Sequence, residues 1–165
     1  MLVIELMKGA NATVAEAGAK ALASIALPQE VYQGGDQGVF EAGGVTLLLE
    51  VLSLHKTHAG VCEAVSRALG NIAVGSDALK QAVLAGLPLL LEVLSLHKTH
   101  AGVCEAVSIA LYNISAGSAT RKASIVSAGA VPLLAAVWKD HSGDARTEAH
   151  DTLDRLGFND DGSKK

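Results

Sequence analysis

Apolar residues recur at helical spacing along most of the chain. The apolar positions of one representative segment, which follow one another at steps of three and four, are Val61, Val65, Ala68, Leu69 and Ile72. This spacing predicts an amphipathic helix. Another helix is expected over 45–52, and a shorter one between Ser76, which is suited to cap a helix, and the break at 85–86. No useful length alternates with period two, so we predict no strands.

The chain also repeats itself with a period of 42 residues. The sequence LLLEVLSLHKTHAGVCEAVS begins at Leu47 and again at Leu89, and the similarity extends beyond the identical block. Fainter copies lie on both sides, because the spacing of 16–25 matches that of 63–72, and AGAVPLL at 128–134 is similar to AGGVTLL earlier in the chain. One unit of this size cannot bury its apolar face alone, so neighbouring units are expected to stack and share one core.

The composition agrees with a folded helical array. Of the 165 residues, 50% are hydrophobic, 18% charged and 3% aromatic, which excludes disorder for most of the chain and predicts a core of closely packed aliphatic side chains. Thirteen basic residues against seventeen acidic ones, without a dense basic run, do not favour binding to nucleic acid. The nearly apolar stretch at 81–96 is broken by Pro88 and Glu92, so no membrane span is expected.

The N-terminus and the cysteines bear on location. Met1 is followed by LVIEL, without the basic residues and small-residue cleavage site of a secretory signal. The two cysteines, Cys62 and Cys104, occupy matching positions of the two copies, which argues against a disulfide and fits a reducing compartment. A cytoplasmic protein is therefore expected, with the nucleus as the alternative.

The repeated unit resembles the armadillo family. The family's pattern of a small residue, Gly, an aliphatic residue and Pro before a Leu-rich helix is similar to AGLP at 85–88 and AGAVP at 128–132. Its closing pattern, EAxxALxNIA, is similar to 63–73 and 105–115, with one more residue between the Glu and the Ala-Leu pair. These motifs recur at a period within the family's range, and the resemblance covers about residues 2–157.

This resemblance implies an all-α fold, a right-handed α–α superhelix of the armadillo type, in which each unit contributes three helices. We predict one array over 1–157, followed by a polar C-terminal tail at 158–165. The predicted units are a partial repeat at 1–34 and repeats at 35–75, 76–117 and 118–157.

The resemblance also implies a binding surface. In armadillo proteins the long third helices line a concave groove that holds an extended peptide, and an Asn amide binds the backbone of that peptide. The corresponding residues here are Asn71 and Asn113, with Ser24 and Arg155 at that position in the flanking units. An Asn amide offers both a donor and an acceptor to a peptide group. The resemblance thus predicts a non-catalytic module whose partner is a protein or an extended peptide, or a partner's helix.

The side chains one turn earlier bear on the choice of peptide. Importin-type repeats carry Trp there, whereas this chain has Lys20, Arg67, Ile109 and Asp151. Without aromatic walls, a basic signal peptide loses cation–π and ion-pair interactions, so recognition of basic signals is only an alternative. A weakly acidic or mixed peptide is preferred. Tyr112, beside Asn113, could serve as an aromatic anchor or pack between helices.

Structural roles are open for the same residues. Asn71 and Asn113 could each bond a neighbouring helix end instead of a ligand, and Lys20 and Arg67 could belong to an ordinary solvated helix face.

A repeated set of potential zinc ligands has a structural explanation too. The set is His55, His58 and Cys62 in one copy and His97, His100 and Cys104 in the next. Each turn offers three ligands where a structural zinc site needs four, and stacked repeats separate equivalent side chains by roughly 10 Å. We therefore predict no metal and no cofactor. No catalytic motif is present either, so we predict no enzymatic activity.

The remaining alternative concerns the ends of the array. The chain opens with apolar Leu2, Val3, Ile4 and Leu6, and an exposed solenoid end without a polar cap favours stacking on a second copy. Self-association of a repeat fragment, natural or engineered, is therefore the alternative function.

Overall fold

A computed structural model describes residues 11–25 and 43–165, with side chains for 11–22 and 43–165. The described residues form nine helices: α1 (Ala12–Ile25), α2 (Gly44–Leu54), α3 (Ala59–Ile72), α4 (Asp77–Leu84), α5 (Leu87–Leu96), α6 (Ala101–Ser115), α7 (Ala119–Ser127), α8 (Ala130–Asp140) and α9 (Gly143–Leu156). No strand occurs in these segments, apart from one isolated bridge between Phe158 and Lys164. The apolar residues Leu2, Val3, Ile4 and Leu6 lie outside the described residues.

The helices repeat in groups of three, short, medium and long. The complete groups are α4–α5–α6 and α7–α8–α9, and α2 and α3 supply the last two helices of the group before them. The long third helices α1, α3, α6 and α9 pack side by side in that order. Apolar residues of all the groups join in one continuous buried cluster, which is what stacking of incomplete units requires.

Helix starts are fixed by local capping chemistry at equivalent positions. Ser76 Oγ accepts a hydrogen bond from the Leu79 amide at 3.4 Å, and Ser118 Oγ accepts one from the Arg121 amide at 3.2 Å. His100 Nδ1 does the same for the Val103 amide at 3.3 Å. Because the first amides of a helix lack intrahelical partners, these caps begin α4, α7 and α6 where the sequence places them.

The segment 158–165, expected to be a polar tail, is a hydrogen-bonded turn packed on α8. The Phe158 amide donates to Leu153 O at 2.9 Å, and the Lys165 amide donates to Gly157 O at 3.0 Å. Gly162 lies so close to α8 that a Cβ placed on it would be 3.4 Å from Val131 Cγ1. The segment returns to the array because Phe158 is apolar and packs against the core.

No single helix in the described segments has the length and apolar character needed to cross a membrane. The pairs α4–α5 and α7–α8 meet that test only together, across bends of 57° and 77°.

Candidate functional site

The neighbouring third helices present one continuous surface of half-buried and exposed side chains. We call this surface the third-helix face. Its residues are Glu16, Lys20, Glu63, Arg67, Asn71, Glu105, Ile109, Asn113, Glu148, Asp151 and Arg155. Within one helix they recur at steps of three or four residues, so they lie on the same side of the helix. Most of the predicted groove residues therefore share one surface; of Ser24 the structure describes only the backbone, in α1.

Two of the three cations predicted for this face, Lys20 and Arg67, are engaged by carboxylates. Lys20 Nζ lies 2.6 Å from Glu16 Oε1 on the same helix. Arg67 bonds Glu105 Oε1 on the next helix at 3.2 Å and lies 3.5 Å from Glu63 Oε1. Because these pairs are exposed to water, which screens their charges, each adds little stability. Their larger effect is to neutralise the positive charge that an acidic peptide would meet there.

The carboxylates of Glu16 and Glu63 also pack against the third helix of the following unit. A Cβ placed on Gly60 would overlap Glu16 Oε2, and one placed on Gly102 would overlap Glu63 Oε2. Glycine at these positions leaves the space that each carboxylate fills. Glu16 and Glu63 were not among the residues predicted for this surface, although their i, i+4 spacing to Lys20 and Arg67 indicates such pairs.

Asn113 bonds the neighbouring helix. Its Nδ2 donates to Gly70 O at 3.0 Å, so half of the amide serves the contact between α6 and α3. Its Oδ1 accepts no hydrogen bond from the described residues. Asn71 is half-buried at the equivalent position of α3. The two open interpretations of Asn113 are thus compatible, because one amide group can bond a helix and still offer an acceptor.

Tyr112 and Arg155 form a stacked pair. The Arg155 Cζ lies 3.5 Å from the centroid of the Tyr112 ring, which places the guanidinium over the aromatic face. Arg155 occupies the Asn position of the last unit, so the pair closes the C-terminal end of the third-helix face. Ile109, at the Trp position of its unit, is half-buried and packs against Gly70.

A polar cavity of about 410 Å³ opens beside this pair. Its lining residues are Tyr112, Gly117, Lys122, Asp151, Asp154 and Arg155. Three of these, Gly117, Lys122 and Asp154, were not among the residues predicted from the sequence. They come from the α6–α7 turn, from α7 and from α9, which only the packing of the last unit brings together.

Negative charge concentrates near the start of α9. The pKa of Glu148 is raised, first by partial burial and then by the neighbouring carboxylates of Asp151, Glu105 and Asp144. In the third-helix face, Lys20 and Arg67 are paired with carboxylates of their own or the next helix, whereas the last unit contributes two acidic residues, Glu148 and Asp151, and one basic residue, Arg155.

The repeated His and Cys residues make contacts between turns. His97 Nε2 lies 2.7 Å from Lys56 O, and His141 Nε2 lies 2.7 Å from Lys98 O, so each ring donates to the turn of the preceding unit. Cys62 Sγ lies 3.3 Å from Lys56 O. Among the described residues, no group of three or more His, Cys, Asp and Glu side chains is arranged to hold a metal ion.

Both thiols are buried and free. Burial raises the pKa of Cys62 and that of Cys104 to about 11. A thiol with such a pKa is almost entirely protonated at neutral pH, and only the thiolate is a good nucleophile, so redox sensing by these cysteines is not favoured.

No family model matches the sequence, and no curated protein matches it. Solved structures do. An engineered protein superposes with a TM-score of 0.82 at 26% identity, over 94% of this chain and 61% of its own. A designed armadillo repeat protein in complex with the peptide (KR)4 gives 0.80 at 23% identity, over 95% of this chain and 64% of its own. Computationally designed armadillo repeat proteins for modular peptide recognition give 0.78 at 20% identity, over 93% of this chain and 63% of theirs.

These likenesses confirm the predicted fold class, an all-α solenoid of armadillo type. The chain spans about three fifths of the length of the engineered protein that it matches at 26% identity.

Proposed function

Because the chain has the armadillo-type repeat fold, we propose that it is a non-catalytic binding module that holds an extended peptide or a partner's helix along the third-helix face. One observation carries the proposal. The third helices lie side by side, so equivalent polar positions recur from unit to unit along a single face. A ligand with regularly spaced peptide groups can contact such a face through the same atoms in each unit.

The contacts of the face favour a peptide of mixed charge. Lys20 and Arg67 are already bonded to Glu16, Glu63 and Glu105, so they attract an acidic run only weakly. The carboxylates that they bond attract a run of Lys and Arg only weakly for the same reason. Backbone contacts with Asn113 Oδ1 and the amide of Asn71 then supply binding that does not depend on peptide charge.

An unbiased peptide-display selection on the whole chain tests this proposal. Selected peptides are expected to bind the parent protein and to lose roughly tenfold in affinity on Asn71→Ala or Asn113→Ala, because a net hydrogen bond is worth about 0.5–1.5 kcal/mol. Lys139→Ala, which changes an exposed residue of α8 away from the face, is the matched control and should leave affinity unchanged.

Two further measurements separate a loss of stability from a loss of binding and test the basic-signal alternative. Thermal melting of Asn113→Ala reports the loss of its bond to Gly70 O separately from the loss of binding. A Lys/Arg-only peptide included in the selection tests the basic-signal alternative, and its dominance among the binders would replace the mixed-charge assignment. If no peptide binds the folded protein, or if the binders ignore both Asn substitutions, the third-helix face is not the binding surface.

A further inference from the structure

We propose that the cavity beside Tyr112 and Arg155 is a carboxylate-binding subsite at the C-terminal end of the third-helix face. Its ligand is an Asp or Glu side chain or the terminal carboxylate of a peptide. The assignment of a peptide as the source of that carboxylate rests on the function proposed above, while the chemistry of the cavity is argued below from its own residues.

The guanidinium of Arg155 is held by stacking on Tyr112. Its Cζ lies 3.5 Å from the Tyr112 ring centroid, so one face of the guanidinium is covered. The N–H groups of a guanidinium lie in its plane and point outward, away from a stacked ring. Stacking therefore holds the planar group in place while leaving its edge able to donate two parallel hydrogen bonds. That edge matches the two oxygens of a carboxylate.

Two cations and two aspartates line the cavity. Lys122 forms no ion pair with the described residues, and it faces the same cavity as Arg155. Of the two aspartates, Asp154 is bonded to Lys165 Nζ, and this hydrogen bond lowers the Asp154 pKa. Asp151 is the remaining carboxylate. Two cations thus face one carboxylate that lacks a cationic partner in the described segments, which favours an anion.

The stacked pair also disfavours a cationic ligand at this cavity. A cationic side chain on a repeat surface would seek the face of an aromatic ring. One face of Tyr112 is already covered by Arg155, so a ligand Lys or Arg could stack on that face only by displacing Arg155. A carboxylate needs no displacement, because it uses the free edge of the same guanidinium.

Titration of the whole protein with three small probes, followed by NMR, tests the subsite directly. The probes are N-acetyl-aspartate α-amide, which carries a side-chain carboxylate, N-acetyl-glycylglycine, which carries a terminal one, and neutral N-acetyl-asparagine amide. The Arg155 Nε–H and the Tyr112 ring signals should shift with one or both acids and remain unchanged with the neutral probe. The acid that binds more tightly identifies the source of the carboxylate.

Substitutions distinguish a carboxylate-binding subsite from a cation-binding one, because they are expected to change the affinity in opposite directions. Arg155→Ala and Arg155→Lys should each weaken carboxylate binding by roughly tenfold, since both remove the bidentate fork. Asp151→Asn should strengthen it severalfold at low salt, and this gain should shrink as salt rises. Lys139→Ala is the control that leaves binding unchanged. Arg155→Lys retains the charge, so a loss seen there on a protein with normal melting is not a folding effect.

The outcomes are separable from those of the peptide selection. Equal shifts with the neutral probe, indifference to Arg155→Lys, or weaker binding after Asp151→Asn would each overturn the subsite. Peptides that bind the third-helix face through Asn71 and Asn113 but ignore the carboxylate would overturn the subsite alone. If the probes bind as expected and no peptide does, the subsite stands and the peptide function fails.

Discussion

At the scale of single residues, Arg121 is a buried cation whose side chain bonds the end of the preceding helix. Its Nε donates to Ile114 O at 2.7 Å, and its Nη2 donates to Ala116 O at 2.6 Å and to Asp77 Oδ1 at 2.9 Å. The two carbonyls belong to the C-terminal end of α6, where backbone oxygens lack helical partners. Arg121, in α7, thus caps the C-terminal end of α6.

We expect Arg121→Met to destabilise the protein by about 2–4 kcal/mol, because the substitution leaves buried carbonyls without donors. Asp77→Asn should cost less than about 1 kcal/mol, since the Asp77 side chain is 79% exposed and its ion pair is screened by water. Urea unfolding of both variants measures the difference. Equal losses would mean that the ion pair, rather than the carbonyl bonds, is the stabilising part.

Two buried serines, unlike Arg121, make no side-chain hydrogen bonds among the described residues. The hydroxyls of Ser66 and Ser108 are fully buried and have no hydrogen-bond partner among the described residues. On α9, by contrast, the buried hydroxyl of Thr152 has partners: its Oγ1 lies 2.7 Å from Glu148 O and 3.0 Å from Ser108 O.

Ser66→Ala and Ser108→Ala are therefore expected to be neutral or to stabilise the protein by up to about 1 kcal/mol, because a buried hydroxyl without a partner is costly and Ala favours helices. Thr152→Val, a change of similar volume, should instead cost about 1 kcal/mol through the lost hydrogen bond. Thermal unfolding of the three variants tests the contrast, which fails if the serine variants lose as much as Thr152→Val.

At the scale of elements, the sequence predicts helices well and contacts between helices poorly. The three-and-four spacing of Val61, Val65 and Leu69 marks α3 because burial on one side of a helix leaves that spacing in the sequence. Nothing local indicates that Arg67 reaches Glu105 on the next helix, or that Arg155 lies on Tyr112. Those contacts depend on how the units stack, which a single copy of the repeat does not encode.

The turn after α9 is joined to that helix by a hydrogen bond between His150, whose charge depends on pH, and Asp160. His150 Nδ1 lies 2.5 Å from Asp160 Oδ1. The hydrogen bond with Asp160 raises the His150 pKa, and the charges of Asp151 and Asp154 add to the effect while slight burial opposes it.

Because the His150 pKa is higher in the folded protein, its contribution to stability is complete below about pH 6.5, the ordinary pKa of histidine, and is lost as pH rises through the folded value. The effect is expected to be small, since the side chain is half exposed. Melting temperatures at pH 5.5 and pH 8 measure it, and His150→Gln should have a weaker pH dependence than the parent. An identical pH dependence in the two proteins would show that the bond does not contribute.

At the scale of the whole molecule, the duplicated sequence predicts the architecture because each unit must bury its face on a neighbour. The same reasoning does not predict the end of the array. The apolar N-terminal residues from which the sequence suggested stacking on a second copy lie outside the described residues, whereas at the other end of the array the turn at 158–165 covers the last unit. Phe158 is the only aromatic residue in that segment, so its composition gave little indication of packing.

That turn has a practical consequence for anyone lengthening the array by protein engineering. Val131 and Ala135, which lie under Gly162, correspond in α8 to Leu87 and Leu91 of α5, a helix that contacts the following unit through α8. The turn thus covers the surface of α8 on which an added repeat would have to pack. A repeat fused after Lys165 could not pack on α8, because the turn covers that surface. A repeat joined directly after Leu156, with the turn removed, would find the surface exposed.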